Sequence, residues 1–549
     1  MCGINLYYVK KTTCESEIFT LANKSRHRGP DLTTMKVIDC DLDTHKLIMV
    51  FHRLAINDLL NGNQPFVDDE QKIFVMCNGE IYNWKELASK YDVKCKSHSD
   101  CEIILHLYKK IGFDKLIEEL DGYFGLTVID LNLWKLFVSR DYLGVRSLFM
   151  GSNENEYGFS SELKSLHPYF NQIEQFPHGN YLEVELLQGQ KKFKTYRTLE
   201  ELSYPMISNE EQILNNIRES LTTAVTQRML CDSTSMIGSL ASGGVDSTIV
   251  TTILASLYDN PKDLHTFCIG LEGSLDVHYS KILAEHIGTN HHIYTVTEQE
   301  LLEFIPQVIY QIGSWDTTTV RASTLMYLLT KKIKKDYPHL KVLFSSEISD
   351  EVCGSYMYFR NAPSKEDFQN ETIRLLNNLR TSDLLRGDAS ISGSSFEGRF
   401  PFASKDVIKS ILTADSELKV HQKFGVEKYL LRKAFDFKVG NREFIPKELL
   451  WRTKVAFSDS YSSKKKKVFY QLIEDHVNSL ISDEEFEKER MNYSHCPPMT
   501  KEALWYRRIF KEKYEGMDKV IPYYWMPKWV GENVVNPSAV VLNMYDPTK

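Results

Sequence analysis

Met236-Ile237-Gly238-Ser239-Leu240-Ala241 is an apolar run, and Ser242-Gly243-Gly244-Val245-Asp246-Ser247 follows it without a break. Helical sequence then runs from Thr248 to Leu257. Leu264 to Ile269 and Lys341 to Phe344 read as two further buried strands, each followed by helical sequence, and Glu211 to Gln227 reads as a helix before them. Strands that alternate with helices specify a parallel sheet with helices packed around it. In the loop itself, two glycines let the backbone approach a ligand closely. Ser242 and Ser247 add hydroxyl donors, and the following helix N-terminus adds partial positive charge. The loop therefore reads as a phosphate cradle; the GxxxxGK[ST] pattern of a Walker A loop is absent there. Asp246 would repel phosphate unless it bound a cation, so Mg²⁺ is expected at Asp246. The plainer alternative is a helix cap at a tight turn, and the position straight after a buried strand favours the ligand role.

Moving outward, Glu200 to Glu211 is polar, contains Pro205 and reads as a linker. The chain before it, to about Thr195, is rich in short apolar runs: Lys46 to Phe51, Lys72 to Cys77, Tyr123 to Ile129 and Lys135 to Ser139. Trp84 to Tyr91 and Cys101 to Ile111 look helical. This mixture implies an α+β domain of stacked sheets. The 549 residues are too many for one core. The expected division is a first domain over 2–200, a linker over 201–212, an α/β domain over 213–530 and an irregular tail over 531–549. A net charge of -8 with mixed signs lacks the basic stripe of a nucleic-acid binder. The basic run Lys464 to Lys467 is short and reads as a solvated turn. No apolar stretch would span a bilayer and no secretory signal is read at the N-terminus. The ten cysteines show no CxxC pair, which fits reduced thiols in a cytoplasmic protein.

Cys2 is the exception among those thiols. With Met1 removed it carries both a thiol and a free α-amine of pKa about 7.7 to 8, a base able to take the thiol proton near neutral pH. Alone, Cys2 favours the plainer reading of an inert residue at a strand start. Its surroundings change that balance. Asn78-Gly79 follows the apolar run ending at Cys77, where an amide and a glycine N–H can form an oxyanion hole, though Asn-Gly turns are common. Arg53, after another strand, offers a guanidinium fork for a carboxylate or a surface salt bridge. Asp100 is equally a receptor for an ammonium group and a helix N-cap.

Together these pieces carry a resemblance. CGI at Cys2, RHRGPD at Arg26, HRLAI at His52, NGEIYN at Asn78, SDCE at Ser99 and RDYLG at Arg140 make the first domain resemble the class II glutamine amidotransferases, which are αββα N-terminal-nucleophile hydrolases. The resemblance implies that Cys2 attacks the glutamine side-chain amide and that Asn78 and Gly79 stabilise the oxyanion. It places glutamine against Arg53, Leu54, Ala55, Ile56, Asn57, Asn78, Gly79, Glu80 and Asp100. Ser147 stands where the family usually has proline, a departure expected to alter a loop rather than the chemistry.

The second half resembles the adenine-nucleotide α-hydrolase fold, whose enzymes split ATP into AMP and pyrophosphate. DTTTVRAS at Asp316, SSEISDE at Ser345, FEGRFPF at Phe396 and WRTKVAFSD at Trp451 fall in the order of the asparagine synthetase family. This resemblance implies ATP held by Leu240, Ser242, Gly243, Gly244, Val245, Asp246, Ser247, Ile269, Ser345, Ser346 and Lys454. It implies Mg²⁺ at Asp246 and Asp350, and Glu347, Thr318 and Arg321 at the aspartate and its adenylate. Glutamine, aspartate and ATP are then the expected small-molecule partners, with homodimerisation the expected self-association. Ser346 and Ile348 replace two family glycines, Ala389 replaces a basic residue, Ser404 an aspartate and Ala241 a leucine. Two alternatives stay open: a ligase acting on another carboxylate, as in β-lactam synthetase-like relatives, or a degenerate synthetase that keeps only glutaminase or binding function.

Overall fold

The structure, a computed structural model, describes residues 1–39, 44–187, 189–452, 468–531 and 534–537. Two six-stranded antiparallel sheets build the first half. One orders Gln172–Gln175, Phe149–Ser152, Tyr157–Ser160, Gly3–Lys10, His45–Arg53 and Leu32–Asp39. The other orders Gln190–Thr195, Asn180–Glu185, Lys135–Arg140, Gly122–Asp130, Ile73–Ile81 and Phe66–Val67. Alternation along the strands decides what each face meets. Ile4, Leu6, Leu47, Met49 and Phe51 point between the sheets and pack with Phe74, Met76, Ile129, Leu136 and Val138. The intervening Tyr7, Val9, Ile48 and Val50 pack with Ile18 and Leu21 of the Glu15–Ala22 helix. On the far side Val75, Cys77, Leu126 and Val128 pack with Ile104, Leu107 and Leu116 of the Ile103–Glu119 helix. The order is helix, sheet, sheet, helix, as the αββα expectation requires. Both faces of each sheet are covered, which is why the strands read as unbroken apolar runs. Each large side chain fully buried this way contributes about 1.5–3 kcal/mol. A one-residue register slip would turn both faces the wrong way.

Several boundaries move. The strand that begins at Ile73 runs to Ile81, so Asn78, Gly79 and Glu80 lie inside it, paired with Gly125, Phe124 and Tyr123. The Asn-Gly turn is therefore excluded. Gly79 is required for a different reason: a Cβ there would collide with the Tyr123 carbonyl oxygen. The helix expected to end at Ile111 continues to Glu119 across a break at Gly112, whose φ of 75° suits glycine. The linker is a packed crossing: Leu202 and Ser203 are buried, and Ile207 N–H donates to Thr413 O at 2.7 Å. Asn209 then caps the Glu210–Gln227 helix through Gln212 N–H.

The second half is built on a five-stranded, all-parallel sheet. Its order is Asn290–Val296, His265–Leu271, Ile237–Leu240, Val342–Phe344 and Glu397–Arg399. The two outer strands were not legible in the sequence. Asn290–Val296 is an edge strand carrying His291 and His292, and Glu397–Arg399 is short and charged, so neither shows an apolar run. Within the expected tail, Asn536 is packed, taking a hydrogen bond from Arg321 at 3.2 Å. Among the described residues no helix is long and apolar enough to cross a membrane.

Candidate active sites

The first centre forms where the Gly3–Lys10, His45–Arg53 and Ile73–Ile81 strands come together. Cys2 precedes the first of these strands, and its Sγ lies 3.5 Å from Leu54 N and 3.8 Å from Leu54 O. Ser161 joins two strands at this point: Ile4 N–H donates to its Oγ at 3.1 Å, and Asn78 Nδ2 approaches the same oxygen at 3.5 Å. Asn78 is fully buried and its Oδ1 has no hydrogen-bond partner. Burial pushes the Cys2 thiol up, with the α-ammonium and Leu54 N–H pulling it back. The thiol is therefore not a ready thiolate and needs a base. Met1 is buried here with its Sδ 2.6 Å from Arg28 Nη2, and burial pushes its α-amine down to about 5.

Asp100 does not cap a helix. Its carboxylate accepts Ile81 N–H at 2.7 Å and Asn57 Nδ2 at 3.1 Å, and the same Asn57 amide donates to Glu80 Oε2 at 2.8 Å. One amide thus bridges two buried acids. Burial, then Asp100 and Glu397, hold the Glu80 carboxyl well above the usual range against Arg399. Burial pushes Asp100 up as well. Arg399 reaches Glu80 only at 3.6 Å, and Asp100 has no ion-pair partner among the described residues. Arg53 is buried, not a surface ion pair. Its fork donates to Asn63 Oδ1 at 2.6 Å and to the carbonyls of Leu59, Asn57 and Asp58, fixing the loop that carries Asn57. Leu54, Ala55 and Ile56 are buried beside it.

The second centre lies at the C-terminal ends of the parallel strands, where α/β sheets bind ligands. Leu240 and Ile269 stand near the ends of adjacent strands, tied by Ala241 N–H to Phe267 O at 2.8 Å. The loop is held by its own hydroxyls: Ser247 Oγ accepts Ser242 N–H at 3.2 Å, and Ser242 Oγ accepts Gly244 N–H at 3.3 Å. Gly243 has φ 73° and a Cβ there would press on Tyr279 at 2.6 Å. Val245 opens a helix to Ser256, so the loop sits on a helix N-terminus as expected. Ser345 N–H donates to Arg399 O at 2.9 Å, and Ser346 follows it at the strand end. Asp246 and Asp350 do meet, on a residue the sequence reading missed. Lys428 Nζ lies 2.5 Å from Asp246 Oδ2, 2.8 Å from Asp350 Oδ1 and 2.9 Å from Ser349 Oγ. Asp246 Oδ1 is buried without a partner. No cluster of three acidic, histidine or cysteine ligands exists among the described residues.

Glu347 pairs with Arg386 at 2.5 Å, and Arg386 also holds Asp383 at 2.5 Å. Ile348, in a family glycine position, has φ 69° and is buried. A β-branched side chain in that region costs about 1–2 kcal/mol. Thr318 Oγ1 donates to Asp316 Oδ2 at 2.6 Å. Arg321 is spent on Glu502, with Nε 2.8 Å from Oε1, tying two helices together rather than presenting a free fork. Lys454 and the Lys464 to Lys467 run lie outside the described residues.

Between the centres runs a buried ionic seam. Arg28 reaches Asp388 at 2.9 Å, Glu162 at 3.2 Å and Ser392 Oγ at 2.9 Å. Arg146 donates to Gly398 O at 2.9 Å, and Arg399 to Glu397 at 2.9 Å. Ser147 Oγ lies 2.7 Å from Asp388 Oδ2, so the replaced proline gains a contact across the halves and does more than alter a loop. Arg28 sits in RHRGPD, and Glu397 and Arg399 in FEGRFPF; those motifs were the available signal, without roles attached.

A family model described as a glutamine amidotransferase domain matches residues 1–216, and one described as asparagine synthase matches 216–371 and 360–536. The chain is similar to a probable glutamine-hydrolysing asparagine synthetase of Acanthamoeba polyphaga mimivirus, 35% identical over 568 residues, covering 99% of this chain and 100% of the relative. It is also similar to the glutamine-hydrolysing asparagine synthetase of Gallus gallus, 35% identical with 99% of each chain covered. A probable glutamine-hydrolysing asparagine synthetase of Schizosaccharomyces pombe is 35% identical, with 96% of each covered.

Proposed function

The chain belongs to the glutamine-hydrolysing asparagine synthetase family, and from that premise we propose how its two centres share the work. The enzyme makes asparagine from aspartate in an ATP-dependent reaction whose nitrogen comes from glutamine. At the first centre, loss of Met1 frees the Cys2 α-amine, whose unprotonated form takes the thiol proton as sulfur attacks the amide carbon. Asn78 Nδ2, engaged only at 3.5 Å, and Gly79 N–H donate to the developing oxyanion. Ammonia leaves, and water then releases glutamate from the thioester. Asp100 and Glu80 hold the α-ammonium of glutamine, and Leu54 to Asn57 form the wall; the Arg53 fork is spent on loop oxygens, but these are neutral, so its charge is left to attract the α-carboxylate. The observation that carries this reading is the pair of buried acids bridged by Asn57, three residues along from the Leu54 that Cys2 Sγ touches, a receptor for a small cationic group.

At the second centre the β-carboxylate of aspartate attacks the α-phosphorus of ATP. β-Aspartyl-AMP forms and pyrophosphate leaves. Ammonia attacks the acyl carbon and AMP departs. The Ser242–Ser247 loop cradles the pyrophosphate, with Leu240, Ile269, Ser345 and Ser346 around the nucleotide and Lys454 on phosphate charge. Glu347, steadied by Arg386, faces the intermediate; Thr318 and Arg321 support the aspartate region through Asp316 and Glu502. Two carboxylates and an unpartnered Asp246 oxygen suit Mg²⁺, which binds through one or two acids plus phosphate oxygens. Such a metal supplies charge neutralisation of the leaving pyrophosphate. Released into water, ammonia becomes mostly ammonium, which has no lone pair to attack with. The buried seam between the halves is the shelter we assign to its transfer.

The test is product formation with ATP, Mg²⁺ and aspartate, using glutamine in one reaction and ammonium in another. Asparagine and pyrophosphate in both support the reading. Product from ammonium alone places the fault at Cys2, its processing or the transfer. Product in neither, with glutamate still released, assigns the second half to a different acceptor.

A further inference from the structure

The acid pair of the second centre is already closed by a cation that belongs to the chain. Lys428 is fully buried in its side chain, and an ammonium has three protons to donate. Its three acceptors are Asp246 Oδ2, Asp350 Oδ1 and Ser349 Oγ. All three donors are thus spent on protein oxygens, so this lysine is not a free hook for phosphate. Its backbone shows how firmly it is placed. Lys428 has φ 58° and ψ 34°, a left-handed conformation unusual for a residue with a side chain. The residue before it is clamped, since Arg432 grips both the Glu427 carbonyl and carboxylate and reaches across to Leu450 O. Burial pulls the ammonium down, and Asp246 with Asp350 raises it well above the usual lysine range.

We propose that Lys428 is a built-in counter-cation that keeps the Asp246–Asp350 pair closed to free divalent metal and yields it only when a nucleoside triphosphate enters, so that metal and nucleotide load together. The contacts support this. Lys428 takes one oxygen of each carboxylate, and Asp246 Oδ1 is left buried without a hydrogen-bond partner. A divalent ion arriving alone would compete with the ammonium for these carboxylate oxygens, or displace it from two of its three contacts and leave it on Ser349 Oγ. A triphosphate arriving with the metal supplies replacement acceptors, and the lysine passes from carboxylate to phosphate as the metal takes its place. The proposal rests on the reading that Asp246 and Asp350 serve the metal–nucleotide complex.

The experiment follows free Mn²⁺ by electron paramagnetic resonance while full-length protein is titrated, with and without the non-hydrolysable analogue α,β-methylene-ATP. Wild type should bind Mn²⁺ at least about tenfold more weakly without the analogue than with it, and Lys428→Met should recover at least about tenfold of nucleotide-free affinity. Tight nucleotide-free binding by wild type, or unchanged binding by a folded Lys428→Met, would overturn the proposal. Where Lys428→Met is unstable, Mg²⁺ alone should raise its melting temperature and leave wild type unmoved; absence of that rescue also overturns it. Asp246→Asn separates this outcome from failure of the site reading: nucleotide-dependent Mn²⁺ binding that survives in Asp246→Asn means the metal is held elsewhere.

Discussion

The two centres handle buried charge in opposite ways. Around Cys2, Glu80 and Asp100 share one neutral amide, and the nearest cation stands 3.6 Å from one of them. Around the Ser242–Ser247 loop, Lys428 holds Asp246 and Asp350 and Arg386 holds Glu347 and Asp383, while the buried Glu351 is met by the Tyr356 hydroxyl. A buried carboxylate without a partner is unfavourable, and it falls back to the ordinary range once a cation arrives. On the proposed reading, the first centre receives the ammonium of glutamine at this open pair. The second places Lys428 and Arg386 where a polyanion is proposed to bind. The difference teaches that the charge left uncompensated in a free site describes the ligand it is built for.

Crossed substitutions give the largest effects. Cys2→Ala should abolish glutamine-driven synthesis, by more than about 10³-fold, and leave ammonium-driven synthesis intact. Asp246→Asn should stop both routes while glutamate release from glutamine continues. Equal loss of both routes in Cys2→Ala would break the separation of the centres. Next, Asn78→Ala should lower glutaminase kcat by about 10²–10³-fold with little change in KM, as removal of an oxyanion donor does; a KM effect alone would reduce Asn78 to substrate binding.

The pH response sharpens the charge argument. Glu80 and Asp100 titrate above the ordinary carboxyl range in the free enzyme. With their charged forms as the proposed receptor of the substrate ammonium, KM for glutamine should rise as pH falls towards the ordinary carboxyl range. The aspartate KM of ammonium-driven synthesis at total ammonia adjusted for its own titration should stay flatter. Equal slopes would mean that the uncompensated pair is not the receptor. The smallest effect concerns Ile348. Ile348→Gly removes left-handed strain of about 1–2 kcal/mol but also a buried side chain whose loss is of order 2–5 kcal/mol. Thermal unfolding should show a net loss of about 1–3 kcal/mol. A gain would mean that strain outweighs packing at that turn.

Much of the scaffold was legible because periodicity is local. Tyr123 to Ile129, Met236 to Ala241 and Leu264 to Ile269 announced themselves as strands through continuous apolar runs. Asn290–Val296 and Glu397–Arg399 did not, since one is a polar edge and the other a three-residue strand held by Val342–Phe344. Asn78-Gly79-Glu80 reads as a strand end for a similar reason. Its polarity resembles a turn, yet pairing with Phe124 and its neighbours keeps it extended.

What the sequence determined by itself was a pair of local patterns: the Cys2-Gly3-Ile4 thiol segment, and a serine-glycine loop between a buried strand and a helix. Both are short-range patterns, and a few adjacent residues suffice to write them. What only the tertiary structure decided was which charges meet. Lys428 stands 182 residues from Asp246, Arg399 closes on Glu80, and Ser147 finds Asp388 across the interface. Such pairs follow no spacing rule. They arise because each helix and strand must bury its apolar face, and that packing alone fixes which distant ionic groups are left side by side.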